Sequence, residues 1–166
     1  YGSDFVMSEN IAVGVLKGEK VHVEKGSSLL NEGQEITLFD ALYLKRKGLL
    51  QVMIGGREVS DEEIINASSE KLFWQKYVVF EDLRKKGYDV GPSPFPLAFY
   101  VKRKKEEVSP TLLYVMVEGT EESFGSLLSV LQAGRSTKKD AILAIVDATG
   151  GVSYYGAALS RLEKKL

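Results

Sequence analysis

The sequence predicts an α+β chain in two parts: a small mixed α/β unit over residues 1–68, and an α/β unit with a central mixed sheet over residues 69–166. Three observations point there. Short apolar runs alternate with polar residues early in the chain, the pattern of half-buried strands, whereas residues 72–83 carry their apolar side chains at helical spacing. Residues 141–146 are continuously apolar and read as a strand covered on both faces. Between these patterns lies the polar stretch Asn66-Ala67-Ser68-Ser69, where one periodicity stops and a longer one begins, as at a domain boundary.

In the first part, Val13, Val15, Val21 and Val23 flank the turn Lys17-Gly18-Glu19-Lys20 and predict a half-buried hairpin. Thr37 is suited to cap a helix with Asp40 in its first turn and Leu38, Ala41, Leu42 and Leu44 inward, until Lys47-Gly48 stops it. A strand over residues 49–54 leads into the Gly55-Gly56 turn. Ser60 and Glu63 then form a capping box, each side chain suited to hold an orphan amide of a short helix that ends near Asn66.

In the second part, Leu72, Phe73, Tyr77, Phe80 and Leu83 share one face of a helix that runs to Lys86 and stops at Gly87. Residues 88–90 read as a short strand, and Pro92, Pro94 and Pro96 hold the next loop extended. Residues 97–102 and 112–117 read as paired strands joined by a charged turn. Glu121 and Glu122 suit the dipole of a helix over residues 123–133. After the strand at 141–146 and the turn Thr149-Gly150-Gly151, residues 152–155 form a final strand. Residues 158–166 read as a short basic helical tail or a frayed end.

Composition narrows the function. There is no cysteine, so disulfides, thiolate zinc sites and cysteine nucleophiles are excluded. No apolar run reaches the roughly 20 residues that span a bilayer. The start, YGSDFVMSEN, lacks the basic flank and apolar stretch of a secretory leader, so the chain is expected in the cytoplasm with no membrane partner. A net charge of −1 argues against a protein that coats nucleic acid through a general positive field. Any RNA contact has to be local. Lys102-Arg103-Lys104-Lys105 is the dense basic cluster, but Glu106 and Glu107 follow it, and its plain reading is a solvated hairpin end.

Chemistry-bearing groups are sparse. The carboxylates are scattered over helix faces and there is one histidine, so neither a metal nor another cofactor is expected. Gly55-Gly56 and Gly150-Gly151 lack the strand-to-helix context of a phosphate loop and read as hairpin turns. His22, between Val21 and Val23, falls on the polar face of an early strand, and the whole second part contains no histidine.

One stretch is more specific. Lys76 to Val90, KYVVFEDLRKKGYDV, resembles the phrase that opens the catalytic-type domain of archaeal tRNA-splicing endonucleases. There a helix carrying Tyr-x-x-Tyr-x-Asp-Leu-Arg ends in Gly-Tyr-x-Val; here Phe80 replaces the second tyrosine. Residues 36–50, ITLFDALYLKRKGLL, resemble that family's N-terminal Leu-x-x-x-Glu-Ala-x-Tyr-Leu segment, with Asp40 as the acid. KKDAILAIVD at 138–147 and VSYY at 152–155 are similar to its basic helix end, buried strand, turn and Tyr-Tyr strand. The matches follow the family order and cover most of the chain. The resemblance implies metal-independent cleavage of precursor tRNA at bulge-helix-bulge junctions, giving 2′,3′-cyclic phosphate and 5′-hydroxyl ends. Its catalytic trio is a tyrosine as base, a histidine as acid and a lysine that steadies the charged transition state.

Two of that trio are missing. The family tyrosine ends a Phe-Gly-x-Asp-Phe-x-Val-Tyr phrase, against which residues 95–102, FPLAFYVK, place Lys102 at the tyrosine and Ala98 at the aspartate. Tyr100, two residues earlier on the same strand face, is a substitute rather than a match. The histidine's stretch reads VSPTLL at 108–113, with no proton shuttle; the lysine persists at Lys139, with Lys138 as the neighbouring choice. The resemblance therefore implies a non-catalytic structural subunit. It would join a catalytic endonuclease subunit in a two-plus-two heterotetramer and meet precursor tRNA through that complex. The candidate RNA contacts are Lys102, Arg103, Lys104, Lys105, Arg135, Lys138 and Lys139. The candidate subunit contacts are Asp147, the one acid of the matching docking loop, and the short unguarded strand Val152, Ser153, Tyr154 and Tyr155. Two rival readings are an active endonuclease using Tyr100 and Lys139, and an interaction module of the same fold unrelated to tRNA.

Overall fold

The computed structural model describes residues 10–104, 110–119, 141–158 and 161–163. The chain divides into two compact units, Tyr1–Phe73 and Trp74–Leu166, a division five residues beyond residue 68. The helix expected at 123–133 and most of the charged turn before Pro110 lie outside the described residues.

In the first unit, β1 (Ala12–Lys17), β2 (Lys20–Lys25), β3 (Glu35–Thr37), β4 (Leu50–Ile54) and β5 (Arg57–Glu58) form a mixed sheet in the order β3-β2-β1-β4-β5. Only β1 and β4 run parallel. The β1–β2 hairpin forms as the sequence predicts, but its inward face is a correction. Val21 and Val23 are buried, whereas Val13 and Val15 are half-buried and Ala12 and Gly14 take the core positions of β1. The register explains it: Gly14 opposes Val23 and Leu16 opposes Val21, with a shift between Val13 and Gly14. A Cβ on Gly14 would meet Val21 Cγ1 at 2.5 Å, so the strand closes only with glycine there.

Helix α1 (Leu38–Arg46) starts where Thr37 Oγ1 accepts the Asp40 amide at 3.2 Å. It buries Leu38, Phe39, Ala41, Leu42, Tyr43 and Leu44, a wider face than the sequence stripe predicts. Gly55 and Gly56, at φ 55° and 79°, are both left-handed, as a tight two-residue turn between β4 and β5 requires. Helix α2 (Asp61–Asn66) carries the expected capping box: Ser60 Oγ accepts the Glu63 amide at 3.2 Å and Glu63 Oε1 accepts the Ser60 amide at 3.1 Å. Arg57 adds a two-pronged contact to Glu63 at 2.9 and 2.8 Å. That guanidinium, then the Ser60 amide, lowers the Glu63 carboxyl from 4.5 to about 2.

The second unit is built on β6 (Tyr88–Pro92), β7 (Ala98–Arg103), β8 (Thr111–Val117), β9 (Ala141–Val146), β10 (Val152–Ala158) and β11 (Arg161–Glu163), ordered β11-β10-β9-β8-β7-β6. Only β8 and β9 are parallel. The tail departs from expectation, because Arg161–Glu163 is a strand rather than part of a helix. Nine residues are too few for an isolated helix to hold, and β10 offers a ready backbone edge at Gly156–Ala158. Helix α3 spans Phe73–Lys85. Leu72, expected on its inner face, instead precedes it at φ 60°, a left-handed conformation that costs a non-glycine residue about 1–2 kcal/mol.

Alternation divides the sheet's side chains between two faces. Phe99, Val101, Leu113, Val115, Ala144 and Tyr154 lie on one, where Phe80 of α3 packs 6.0 Å from the Phe99 ring. Ala98, Tyr114, Ala141 and Leu143 form a core cluster on the other, with Leu112, Met116, Ile145 and Tyr155 at its margin. Leu143 and Ala144, adjacent on β9, are both fully buried, so this strand is covered on both faces as its composition predicts. No helix among the described residues is long and apolar enough to cross a membrane.

Candidate functional site

The phrase at residues 76–90 does structural work. Tyr77 donates its hydroxyl to Glu81 at 2.7 Å, Leu83 is fully buried, and the Arg84 guanidinium lies 5.6 Å over the Phe80 ring. Asp82 accepts the Tyr154 hydroxyl and an ion pair from Lys86 at 3.0 Å, while the Lys86 ammonium sits 4.7 Å over the Tyr154 ring. Burial first, then the hydrogen bond to Asp82, pushes the Tyr154 hydroxyl well above its ordinary pKa. The helix and β10 are thereby tied together.

This changes the reading of the candidate subunit contacts. The Tyr154 side chain is 2% exposed and turned into its own unit, so only its backbone is available to a partner. Val152 and Tyr155 are half-buried and Ser153 is exposed. β11 pairs only with Gly156–Ala158, so no strand among the described residues lies beside the outer edge of Val152–Tyr155. A cleft lined by Val78, Glu81, Asp82, Lys85, Gly150, Gly151 and Val152 opens at the start of that edge. Asp147 has an internal task as well. Its Oδ1 accepts the Thr149 hydroxyl at 2.7 Å and the Thr149 and Gly151 amides at 2.9 Å each, and these bonds, the hydroxyl foremost, hold its carboxyl below the usual range.

β7 carries Ala98, Tyr100 and Lys102, three residues that the sequence singles out. Ala98 is buried; Tyr100 is 39% exposed, and alternation places it with Lys102 on the face of Ala98. Lys102 opposes Asp89 across the β6–β7 pair. Arg103 lies on the other face, its guanidinium 5.4 Å over the Tyr88 ring, and Lys104 is exposed beyond the strand end. Lys102 and Arg103 are therefore set on opposite faces by the pleat. Lys105, Arg135, Lys138 and Lys139 lie outside the described residues. His22, in the first unit, is half-buried opposite Val15 and Glu35.

Two aromatic residues beside Tyr100 escaped the sequence reading. Phe95 is 43% exposed, with its ring 5.9 Å from that of buried Tyr114. Tyr114, diagonal to Tyr100 on the same face, has its hydroxyl pushed up, chiefly by burial. The loop that presents Phe95 is fixed from below: buried Lys76 donates to the Pro96 carbonyl at 2.8 Å, and Ser93 Oγ donates to the Ala98 carbonyl at 2.8 Å while accepting the Phe95 amide at 3.2 Å. The available signal was Pro94-Phe95-Pro96, an aromatic ring held between two prolines in a loop.

Residues 73–154 match the family described as tRNA intron endonuclease, catalytic C-terminal domain. The chain is 36% identical over 124 residues to the tRNA-splicing endonuclease of Thermococcus kodakarensis, covering 72% of this chain and 74% of that relative. It is 31% identical over 140 residues to the tRNA-splicing endonuclease of Pyrococcus furiosus, covering 82% of each. To that of Pyrococcus abyssi it is 32% identical over 149 residues, 88% of this chain and 80% of the relative. The resemblance read from residues 76–90 and the coverage of both units agree: the chain belongs to the tRNA intron endonuclease family.

Proposed function

We propose that this chain is a structural subunit of a cytoplasmic tRNA-splicing endonuclease, assembling two-plus-two with a catalytic subunit that cleaves precursor tRNA at bulge-helix-bulge junctions. One observation carries the reading: the segment that matches the family's catalytic domain, residues 73–154, contains no histidine. The resemblance to the family's tyrosine phrase, which sets Lys102 at the tyrosine, supports it. Transfer of a proton to the leaving 5′ oxygen at neutral pH favours a group that titrates near 7. Lysine and tyrosine ordinarily titrate near 10, and the chain's one histidine, His22, is in the first unit.

Assembly through the open edge of Val152–Tyr155 fits strand addition, in which backbone hydrogen bonds supply the affinity and the half-buried Tyr155 an apolar contact. Co-expression with a chain from the same genome that carries the full tyrosine, histidine and lysine set tests the proposal. The two are expected to co-elute and to cleave together. A catalytic chain fully active alone, with no co-elution, would overturn it.

A further inference from the structure

We infer that Phe95 and Tyr100, set around Tyr114, form a stacking shelf for an unpaired nucleobase of RNA, with Lys102 facing that nucleotide's phosphate. The inference rests on the proposed role in precursor tRNA splicing for its ligand class and on the second unit for its geometry. Apolar side chains of this size are mostly buried in the unit, yet these two rings stand 43% and 39% exposed on the same face of the sheet as buried Tyr114. Both are aromatic. The Phe95 ring is backed by the buried Tyr114 ring, and Tyr100 is held on a paired strand diagonal to Tyr114; rings fixed in this way offer π surfaces at little entropic cost, and base stacking on them tolerates any base.

The supports are fixed. Lys76 and Ser93 pin the loop carrying Phe95, and β7 holds Tyr100 between β6 and β8. Lys102 follows Tyr100 by two residues on the same face, about 7 Å along the strand, within reach of a phosphate attached to the stacked nucleotide. Asp89 opposes Lys102, so the electrostatic share is small and stacking dominates. An unpaired base is the fitting occupant because a duplex keeps both base faces covered.

The test uses the full chain, alone and with its catalytic partner, and a bulge-helix-bulge RNA with 2-aminopurine at each unpaired position in turn. One position is expected to be quenched on binding. Tyr100→Ala and Phe95→Ala should relieve that quenching and weaken RNA binding about 10- to 100-fold, while Tyr100→Phe retains both, since the ring and not the hydroxyl is used. Tyr100→Leu, which keeps apolar bulk without a π face, should fold and still lose the quenching. No quenching at any position, or quenching unchanged in the Phe95→Ala, Tyr100→Ala double variant, overturns the shelf. So does loss of partner co-elution in that variant, which would make the patch a protein contact. If the shelf variants lose quenching but the wild-type chain neither joins nor supports a catalytic partner, the shelf stands and the structural-subunit reading falls.

Discussion

The two faces of β7 have had different fates. Phe99 points under α3, is 2% exposed, and meets Phe80 and the Lys76 ammonium; Tyr100, the next residue, points the other way and is 39% exposed. The α3 face holds the phrase that carried the resemblance, with Tyr77, Asp82, Leu83 and Arg84 all engaged in packing or hydrogen bonds within the unit. The opposite face holds Ala98, Tyr100 and Lys102. The phrase that identifies the family is thus a description of how α3 binds its sheet.

The largest expected effect tests that division directly. Phe80→Ala should cost about 3–5 kcal/mol in denaturant unfolding because it opens a cavity between α3 and β7. Tyr100→Ala should stay within about 1 kcal/mol of wild type, as expected for an exposed site. Equal losses in the two variants would break the comparison. Tyr154→Phe should cost about 1–3 kcal/mol, since it leaves Asp82 without the buried hydroxyl that now donates to it. A double-mutant cycle with Asp82→Asn should show the two residues coupled, and additive losses would sever the link between α3 and β10.

The first unit supplies a control. Ser60→Ala should lower stability by about 1 kcal/mol through loss of the α2 cap, and should leave RNA quenching at the shelf unchanged. The smallest effect is one of pH. Because Glu63 titrates at about 2 in the folded chain rather than at 4.5, its contribution is fully present above 4.5 and is lost as pH falls toward 2. The stability difference between wild type and Glu63→Gln should therefore shrink across that window. A difference that stays constant with pH would show that the Arg57 contact does not hold in solution.

Local signals were legible where a few adjacent residues decide the outcome. The Thr37 cap, the Ser60–Glu63 box, the glycine turn after Ile54 and the apolar strand at 141–146 all follow from neighbours in sequence. What escaped depends on distant partners. The register of β1 against β2, with its shift between Val13 and Gly14, puts Gly14 rather than Val13 inward, and three-residue β3 and β11 are too short to carry a period. Tyr154 read as a free edge residue because its acceptor, Asp82, is 72 residues away. The shelf escaped for the same reason, since Phe95, Tyr100 and Tyr114 become neighbours only when β7 pairs with β8.

The most direct measurement is single-turnover cleavage of a bulge-helix-bulge RNA in chelator, by this chain alone and after mixing with the proposed catalytic partner. No cleavage alone, and cleavage at both junctions with the partner that survives His22→Ala in this chain, is the predicted result. Metal-independent cleavage by the lone chain, abolished by Tyr100→Phe, would contradict it and make β7 the bearer of an active site.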